Sequence, residues 1–327
     1  MSEAAATDTV TVTVIHDSGL QPVASLADLR GQMTGGRYVW LDICGPLALA
    51  DEAMLLELGM HAADTAWIRR VDQPGRLTIT RHGIRAVSWL AAPHVGMIEI
   101  HVYASSKGVV TLWHGKHELL GDVRQDFVER VGGASRSHYH VAAILLQLFL
   151  GSFEQAIIFI DEHLQALRNR IRNEPSSIDN AHLSSNLELL RGAWLKFDCY
   201  ASSVRSATVG IEAIADIGPD AARELNEYTE HVEDTESRLH ERIQWASHVV
   251  QDFTTALAQR QGEQISRLTI VSIFFMPVSF LTGFFGMNFN WMAEQIGSRA
   301  AFLTCGILLP LACAGATVLW LKRKGLL

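Results

Sequence analysis

LTIVSIFFMPVSFLTGFF, residues Leu268 to Phe285, decides the architecture of this chain. The run contains no charged residue. At 1.5 Å rise per residue a helix over it spans roughly 27 Å, close to the hydrocarbon thickness of a bilayer. Gly286, Met287 and Asn288 open a short loop, and a second uncharged run follows from Ala300 to Leu321. Two such runs joined by a short loop predict a C-terminal helical hairpin in a membrane, and hence an integral membrane protein.

Everything before Leu268 reads as water-exposed, and 327 residues leave room for about two domains. A formal net charge of -8 gives no basic footprint for nucleic acid. The opening twenty residues, MSEAAATDTVTVTVIHDSGL, lack the charged start and apolar core of a signal peptide, so the polar part is expected in the cytoplasm. Basic residues agree with that orientation. Lys322, Arg323 and Lys324 follow the second run, Arg260 and Arg267 precede the first, and the connecting loop carries only Arg299, which places both termini inside. Cys44, Cys199, Cys305 and Cys313 have no C-x-x-C spacing, and two of them lie in the second apolar run, so they read as small apolar fillers rather than a disulfide framework.

Upstream, strand signals dominate to about Trp113. Thr9 to Val14 alternates Thr with Val, Arg37 to Ile43 is rich in β-formers, and Arg76 to Leu90, Met97 to Tyr103 and Val109 to Trp113 continue the pattern around short helical pieces such as Asp51 to Leu58. From His117 onward apolar residues recur at helical spacing. One helix is expected through Ala142 to Ile171 with a break at Pro175, a second from Asp179 to about Ile214, and a third from Asp220. The third keeps an apolar stripe of roughly seven-residue period, Leu225, Val232, Leu239, Ile243, Val250 and Leu257, and meets only Gly262 and Pro277 as breakers. It therefore reads as one helix of roughly 100 Å from Asp220 to Phe285, passing from the cytoplasmic part into the bilayer. The expected fold class is an α+β cytoplasmic domain followed by long helices and a two-helix transmembrane hairpin. The expected divisions are 1–116 (α/β part), 117–267 (helical stalk), 268–285 (first span), 286–299 (outer loop), 300–321 (second span) and 322–327 (basic tail).

The first span is not uniformly apolar. Thr269, Ser272, Met276, Ser279 and Gly283 are spaced 3, 4, 3 and 4 apart and share one face, with Phe274, Phe280, Leu281 and Phe284 elsewhere. Small and hydroxylated residues in a stripe serve either close helix packing or the wall of a pore made by several copies around an axis. Pro277 fits both, since a kink serves packing or a gate.

Leu268 to Met292, LTIVSIFFMPVSFLTGFFGMNFNWM, resembles the signature of the CorA-type divalent-metal transporters: an apolar helix with a Met-Pro step, then Gly-Met-Asn, a short outer loop, and a last helix with a basic tail. The likeness continues more loosely upstream through Trp40, Leu41 and Asp42, the His61 to Asp64 segment and the long helix. It implies a homopentamer in a bacterial inner membrane with a funnel-shaped cytoplasmic domain, the first span lining a central pore and the second forming an outer ring. Gly286, Met287 and Asn288 then form the selectivity filter, and Leu268, Thr269, Ser272, Met276, Ser279 and Gly283 lie along the pore, with Met276 and Leu268 as constrictions. Five Asn288 side chains would present amide carbonyls that hydrogen-bond the water shell of an ion without stripping it, which suits Mg2+. Asn beside Gly is also an ordinary helix C-cap, and both roles can coexist. The divalent cation is cargo, and no separate cofactor is expected.

The outer loop departs from the magnesium-transporter pattern. Phe289, Asn290, Trp291, Met292 and Ala293 separate the tripeptide from its first carboxylate, Glu294, and Arg299 opposes it, so attraction of cations at the mouth is modest. The intact tripeptide leans toward Mg2+ or Co2+ and Ni2+, whereas 14 histidines lean toward the zinc-transporting ZntB branch, in which proton coupling is an open alternative. On the long helix, Asn226 to Glu241 concentrates carboxylates that call for solvation, for basic partners from another subunit, or for a bridging cation. Glu227, Glu230 and His231 are the candidate regulatory metal ligands, Glu227 and His231 being an i, i+4 pair. His138 and His140 are expected to cap or pack. An enzyme reading lacks support, because Gly132-Gly133 has no P-loop lysine and no H-E-x-x-H occurs. A membrane-tethered sensor or structural coiled-coil protein is the second reading, with the same hairpin and no conduction.

Overall fold

The computed structural model describes residues 11–16, 19–22, 26–33, 38–46, 52–92, 96–131, 137–173, 180–211, 214, 217–287 and 298–324. They fall into two compact units, 1–250 and 251–327.

The first unit is built on a seven-stranded sheet: β1 (Thr11–His16), β2 (Gly19–Pro22), β3 (Trp40–Cys44), β4 (Arg76–Thr80), β5 (Gly83–Ala92), β6 (Gly96–Ala104) and β7 (Val109–Trp113), in the order β2-β1-β3-β7-β6-β5-β4. Only β3 and β7 pair in parallel, with Asp42 opposite Thr111, and the other neighbours are antiparallel. Both parallel strands are buried along their whole length, as expected where helices cover both faces. Their side chains alternate accordingly. Leu41, Ile43, Val110 and Leu112 join one core with Met54, Leu55, Leu58 and Ile68, while Trp40, Val109 and Trp113 join a second core with α4 to α7. The first core is covered by α1 (Leu26–Met33), α2 (Glu52–Glu57) and α3 (Ala62–Ile68); the second by α4 (Gly121–Val131), α5 (His138–Asn173), α6 (Asn180–Thr208) and the start of α7 (Pro219–Phe285).

Asp42 is almost completely buried on the second face, and its carboxylate is saturated. Thr111 Oγ1 donates to Oδ1 at 2.6 Å, Trp113 Nε1 to Oδ1 at 3.0 Å, and Arg124 Nε and Nη2 to Oδ2 at 2.9 and 2.6 Å. A buried carboxylate is tolerated on those terms only. Two serines tie the sheet to the helices. Ser152 of α5 accepts from Ala91 N at 2.8 Å, and Ser203 of α6 both accepts from Leu77 N and donates to Leu77 O at 3.1 Å, closing the outer edge of β4. The tight turn from β4 to β5 requires glycine at 83: with φ +153, a Cβ there would stand 2.1 Å from Ala104 O.

The strands read from the sequence reappear as β1 and β3 to β7, shifted by two or three residues at some ends. The edge strand β2 and the helices α1, α3 and α4 were not marked by apolar periodicity. The helix expected over Ala142 to Ile171 runs over His138–Asn173, and the long helix expected from Asp220 starts at Pro219 and ends at Phe285 as read. The first half of its predicted apolar stripe is its buried side, Leu225, Val232 and Leu239 lying in the second core with Tyr228; Ile243, Val250 and Leu257 are only partly covered, and Ala246, Val249 and Phe253 are buried instead.

The second unit holds the end of α7, then α8 (Arg299–Ala301), a π-helical stretch over Phe302–Leu308, and α9 (Leu309–Arg323). Pro310 accounts for the wide turns, since its ring clashes with the carbonyl four residues back and it has no N–H to offer there. The helix continues through Lys322 and Arg323, which lie in its last turn rather than in a separate tail.

Candidate functional site

The apolar end of α7 has two unlike faces. Ile270, Ile273, Phe274, Pro277, Val278, Leu281 and Phe285 are partly covered, whereas Leu268, Thr269, Ser272, Met276, Ser279 and Gly283 are all exposed. At about 100° per residue the two sets fall on opposite sides of the helix. Met276 and Leu268 are 71% and 68% exposed, so the two apolar constriction candidates stand in the open on a single chain. The last segment divides the other way: Pro310, Cys313, Ala314, Thr317 and Val318 are partly covered and Leu321 fully, whereas bulky Leu311, Leu319 and Trp320 are exposed.

Hydroxyls on α7 turn their hydrogens inward. Thr269 donates to Ile265 O at 2.8 Å, Ser272 to Leu268 O at 2.9 Å, and Thr282 to Val278 O at 3.0 Å. Each proton is thereby satisfied by the helix itself, and the oxygen keeps lone pairs for a hydrated cation or a neighbouring donor. Pro277 lies within the helix without ending it. The helix closes on Gly286 N to Thr282 O at 3.0 Å and Met287 N to Phe284 O at 3.3 Å; a Cβ at 286 would approach Thr282 O to 3.0 Å, so glycine suits this end. Asn288 and the loop with Glu294 lie outside the described residues.

In the first unit Glu227, Glu230 and His231 are exposed on α7. Much of the acidic segment finds basic partners within its own chain, an arrangement outside the three the sequence offered, namely solvation, basic partners from another subunit or a bridging cation. Glu236 pairs with Arg205 of α6, Asp234 stands 3.7 Å from Arg238, and Glu227 stands 3.8 Å from Arg223. Among the described residues no three His, Cys, Asp or Glu side chains converge on a metal-binding geometry within one chain. His140 is buried at the start of α5, and burial holds the imidazole of His138 below its usual range.

What the sequence left unread is how α7 is anchored. Arg130 of α4 donates to Glu224 at 3.0 Å and to Gln147 of α5 at 3.1 Å. Tyr228 meets Tyr200 of α6 hydroxyl to hydroxyl at 2.5 Å, both fully buried, and burial pushes the Tyr228 phenol well above its ordinary range. Arg242 Nε stands 2.7 Å from Asp161 of α5. Each partner lies on a different helix, tens of residues away, and no spacing rule links them.

A family model described as CorA-like Mg2+ transporter protein matches residues 76–323. Among curated proteins, the cobalt/magnesium transport protein CorA of Thermotoga maritima is 25% identical over 187 residues, covering 54% of this chain and 51% of that protein. The chain thus spans about half the length of that relative. The zinc transport protein ZntB of Yersinia pestis is 20% identical over 232 residues, 70% of this chain and 68% of that protein. The complete structure of the CorA magnesium transporter from Methanocaldococcus jannaschii superposes with a TM-score of 0.74 at 12% identity, covering 100% of both chains. At that identity the likeness is one of fold.

Proposed function

This chain belongs to the CorA-like Mg2+ transporter family, and we propose that it is a divalent-cation transporter of the inner membrane, working as a homopentamer with Mg2+ as its preferred cargo. The observation that carries the reading is the division of α7: the face with Ser272, Ser279 and Gly283 is open, flanked by exposed Phe275 and Phe280, and the face with Ile273, Phe274 and Leu281 is partly covered. A helix that served only as an anchor would gain nothing from keeping its small and hydroxylated residues away from its covered side. Placed around an axis, five such open faces give a narrow path lined by oxygen acceptors and interrupted by Met276 and Leu268. The ion then keeps its water shell, which the hydroxyl and amide oxygens hydrogen-bond, and meets no carboxylate strong enough to hold it.

In this reading Gly286, Met287 and Asn288 form the entrance filter, with the five amide oxygens of Asn288 meeting the hydration shell first. A membrane potential negative inside supplies about 4.6 kcal/mol per 100 mV for a divalent ion, enough to drive uptake with no coupled proton. Glu227, Glu230 and His231 are the proposed regulatory metal ligands. On one chain they stand exposed, so a site there needs a neighbouring subunit. Both termini face the cytoplasm by the positions of Arg260, Arg267, Lys322 and Arg323.

Zinc transport is the second reading, favoured by one observation: the likeness to the zinc transport protein ZntB extends over more of this chain than the likeness to the cobalt/magnesium protein. Uptake of Mg2+, Co2+, Ni2+ and Zn2+ into dye-loaded proteoliposomes, with and without a proton gradient, separates the two. Mg2+ uptake that ignores the gradient and is lost in Asn288→Ala supports the first. Uptake confined to Zn2+ and driven by the gradient supports the second. No uptake of any ion, with the protein correctly inserted, would leave a sensor.

A further inference from the structure

His101 of β6 is buried, and both nitrogens of its ring face oxygen. Nδ1 lies 2.8 Å from Ile68 O at the end of α3. A carbonyl has no proton to give, so Nδ1 carries one. Nε2 lies 2.5 Å from Glu99 Oε1. Two bare lone pairs do not approach that closely, so a second proton lies on this line. Glu99 also closes the turn between α3 and β4: Asp72 N donates to Oε2 at 2.8 Å and Gln73 N to Oε1 at 3.2 Å. Those two donors suit an ionised carboxylate, which puts the second proton on the ring and makes His101 an imidazolium. Trp67 of α3 stacks on it with ring centroids 5.4 Å apart.

Asp72 sits at φ +62, a left-handed conformation that a non-glycine residue keeps only when its surroundings impose it. Glu99 imposes it here, and Gln73 braces the same turn by donating from Nε2 to Trp67 O and Arg70 O. The charged groups of the surrounding elements are engaged elsewhere. Asp64 of α3 pairs with Arg85 of β5, Arg69 pairs with Glu52 of α2, and the side chains of Arg70 and Asp72 are exposed. β5 and β7 set Val87 and Leu112 opposite His101, and Tyr103, two residues along β6, donates to Gly59 O. His114, just past β7, has its pKa lowered first by burial and then by the charge of His101. A cavity of about 270 Å3 lined by Val71, Met97, Glu99, His101, Leu112 and His114 joins the pair to solvent at Val71, which is 63% exposed. We propose that the proton between His101 and Glu99 is a latch: while it is bound, the turn over residues 69–75 is held to β6, and its loss as pH rises sets a buried carboxylate against a bare ring nitrogen and frees the turn. β4 follows directly, and its Leu77 carries both hydrogen bonds to Ser203 of α6, so the opening reaches the strand on which α6 docks. The latch lies in the first unit and does not depend on which ion is carried.

Hydrogen exchange read by mass spectrometry on the full-length protein in lipid nanodiscs, corrected for the intrinsic pH dependence of exchange, follows the turn through the peptide over residues 69–75. In the wild type its protection should be lost as pH rises from mildly acidic to alkaline. Glu99→Gln replaces the proton of the pair by a carboxamide N–H that donates to a neutral His101, so its turn should stay protected throughout; circular dichroism and elution volume check that the variant is folded. Solid-state NMR of the protein labelled at its 14 histidines with nitrogen-15 gives a second readout that the wild type carries alone. One imidazolium signal should disappear over the same pH range as the protection, and that signal should be missing from Glu99→Gln. A wild-type turn equally protected at every pH overturns the proposal, as does protection lost while no imidazolium signal disappears. So does a folded Glu99→Gln whose turn opens in parallel with the wild type or is open from the start, which would make Glu99 a plain turn cap.

Discussion

α5 and α7 each carry an apolar stretch long enough to cross a bilayer, with nearly the same mean hydropathy, yet half of the α5 stretch is buried inside the protein and none of the α7 stretch is. Composition does not separate them; partners do. In α5, Val141 to Leu146, Phe149 and Phe153 press against the sheet and α4, α6 and α7, so water is excluded by protein. In α7, Phe275, Met276 and Phe280 are exposed, with Phe275 against Phe274 and Phe280 stacked on Phe284 of the same helix, and their open sides are left for lipid or for other copies. Ser152, tied to Ala91 N, marks α5 as a helix docked on a sheet, whereas Thr269 and Ser272 in the apolar stretch of α7 donate to carbonyls of their own helix.

The largest expected effect tests that difference directly. Phe149→Ala opens a hole in a packed core and should cost about 3–5 kcal/mol in chemical unfolding of the first unit, whereas Phe275→Ala should leave the same transition unmoved. Equal losses would mean that the two stretches are not differently partnered. Next comes Asp42→Ala, which leaves Arg124 buried without its carboxylate and should cost about 3–5 kcal/mol. Arg124→Met added to it should recover much of the loss, because an apolar pair of similar size removes the stranded charge. If the double variant is as unstable as the single one, packing rather than charge dominates at this site.

Much of the architecture was legible because it rests on periodicity. The unbroken apolar pattern from Asp220 to Phe285 yields α7 to within a residue, and the alternating β-formers yield most of the sheet. β2 escaped because a four-residue edge strand ending in proline carries almost no pattern, and the short α1 and α3 because two turns do not complete a stripe. The π-helical turns before Pro310 escaped because proline announces a disturbance without saying which kind. At the candidate site the stripe on α7 was legible for the same reason as the helix. The internal partners of Glu236 and Asp161 were not, since ion pairs between helices follow tertiary docking and leave no mark in local spacing.

A smaller effect concerns the acidic segment of α7. If Glu227 and Glu230 bind a divalent ion between subunits, Mg2+ at a hundredfold excess over Kd should raise the unfolding free energy by about 2.7 kcal/mol per site, and Glu227→Ala with Glu230→Ala should abolish the rise. A wild-type transition unmoved by Mg2+ or chelator would return the segment to a solvated helix face. The smallest effect is one of pH. His138 has its pKa lowered by burial, so the unfolded chain holds the proton more tightly than the folded one. Its contribution is intact above the ordinary value of about 6.5 and is lost as pH falls through it. His138→Gln should flatten the decline in thermal stability between neutral pH and mild acid, and an unchanged slope would assign the decline to other groups.

The central claim is that the open face of α7 meets water and ions while the covered face does not. With Cys199, Cys305 and Cys313 replaced, single cysteines at Ser272→Cys, Ser279→Cys and Ile273→Cys can be treated with a small water-soluble thiol reagent during divalent uptake into proteoliposomes. Rapid modification at 272 and 279 that blocks uptake, with Ile273→Cys unreactive and still conducting, is the predicted result; equal modification at all three, or block only through Ile273→Cys, would contradict it.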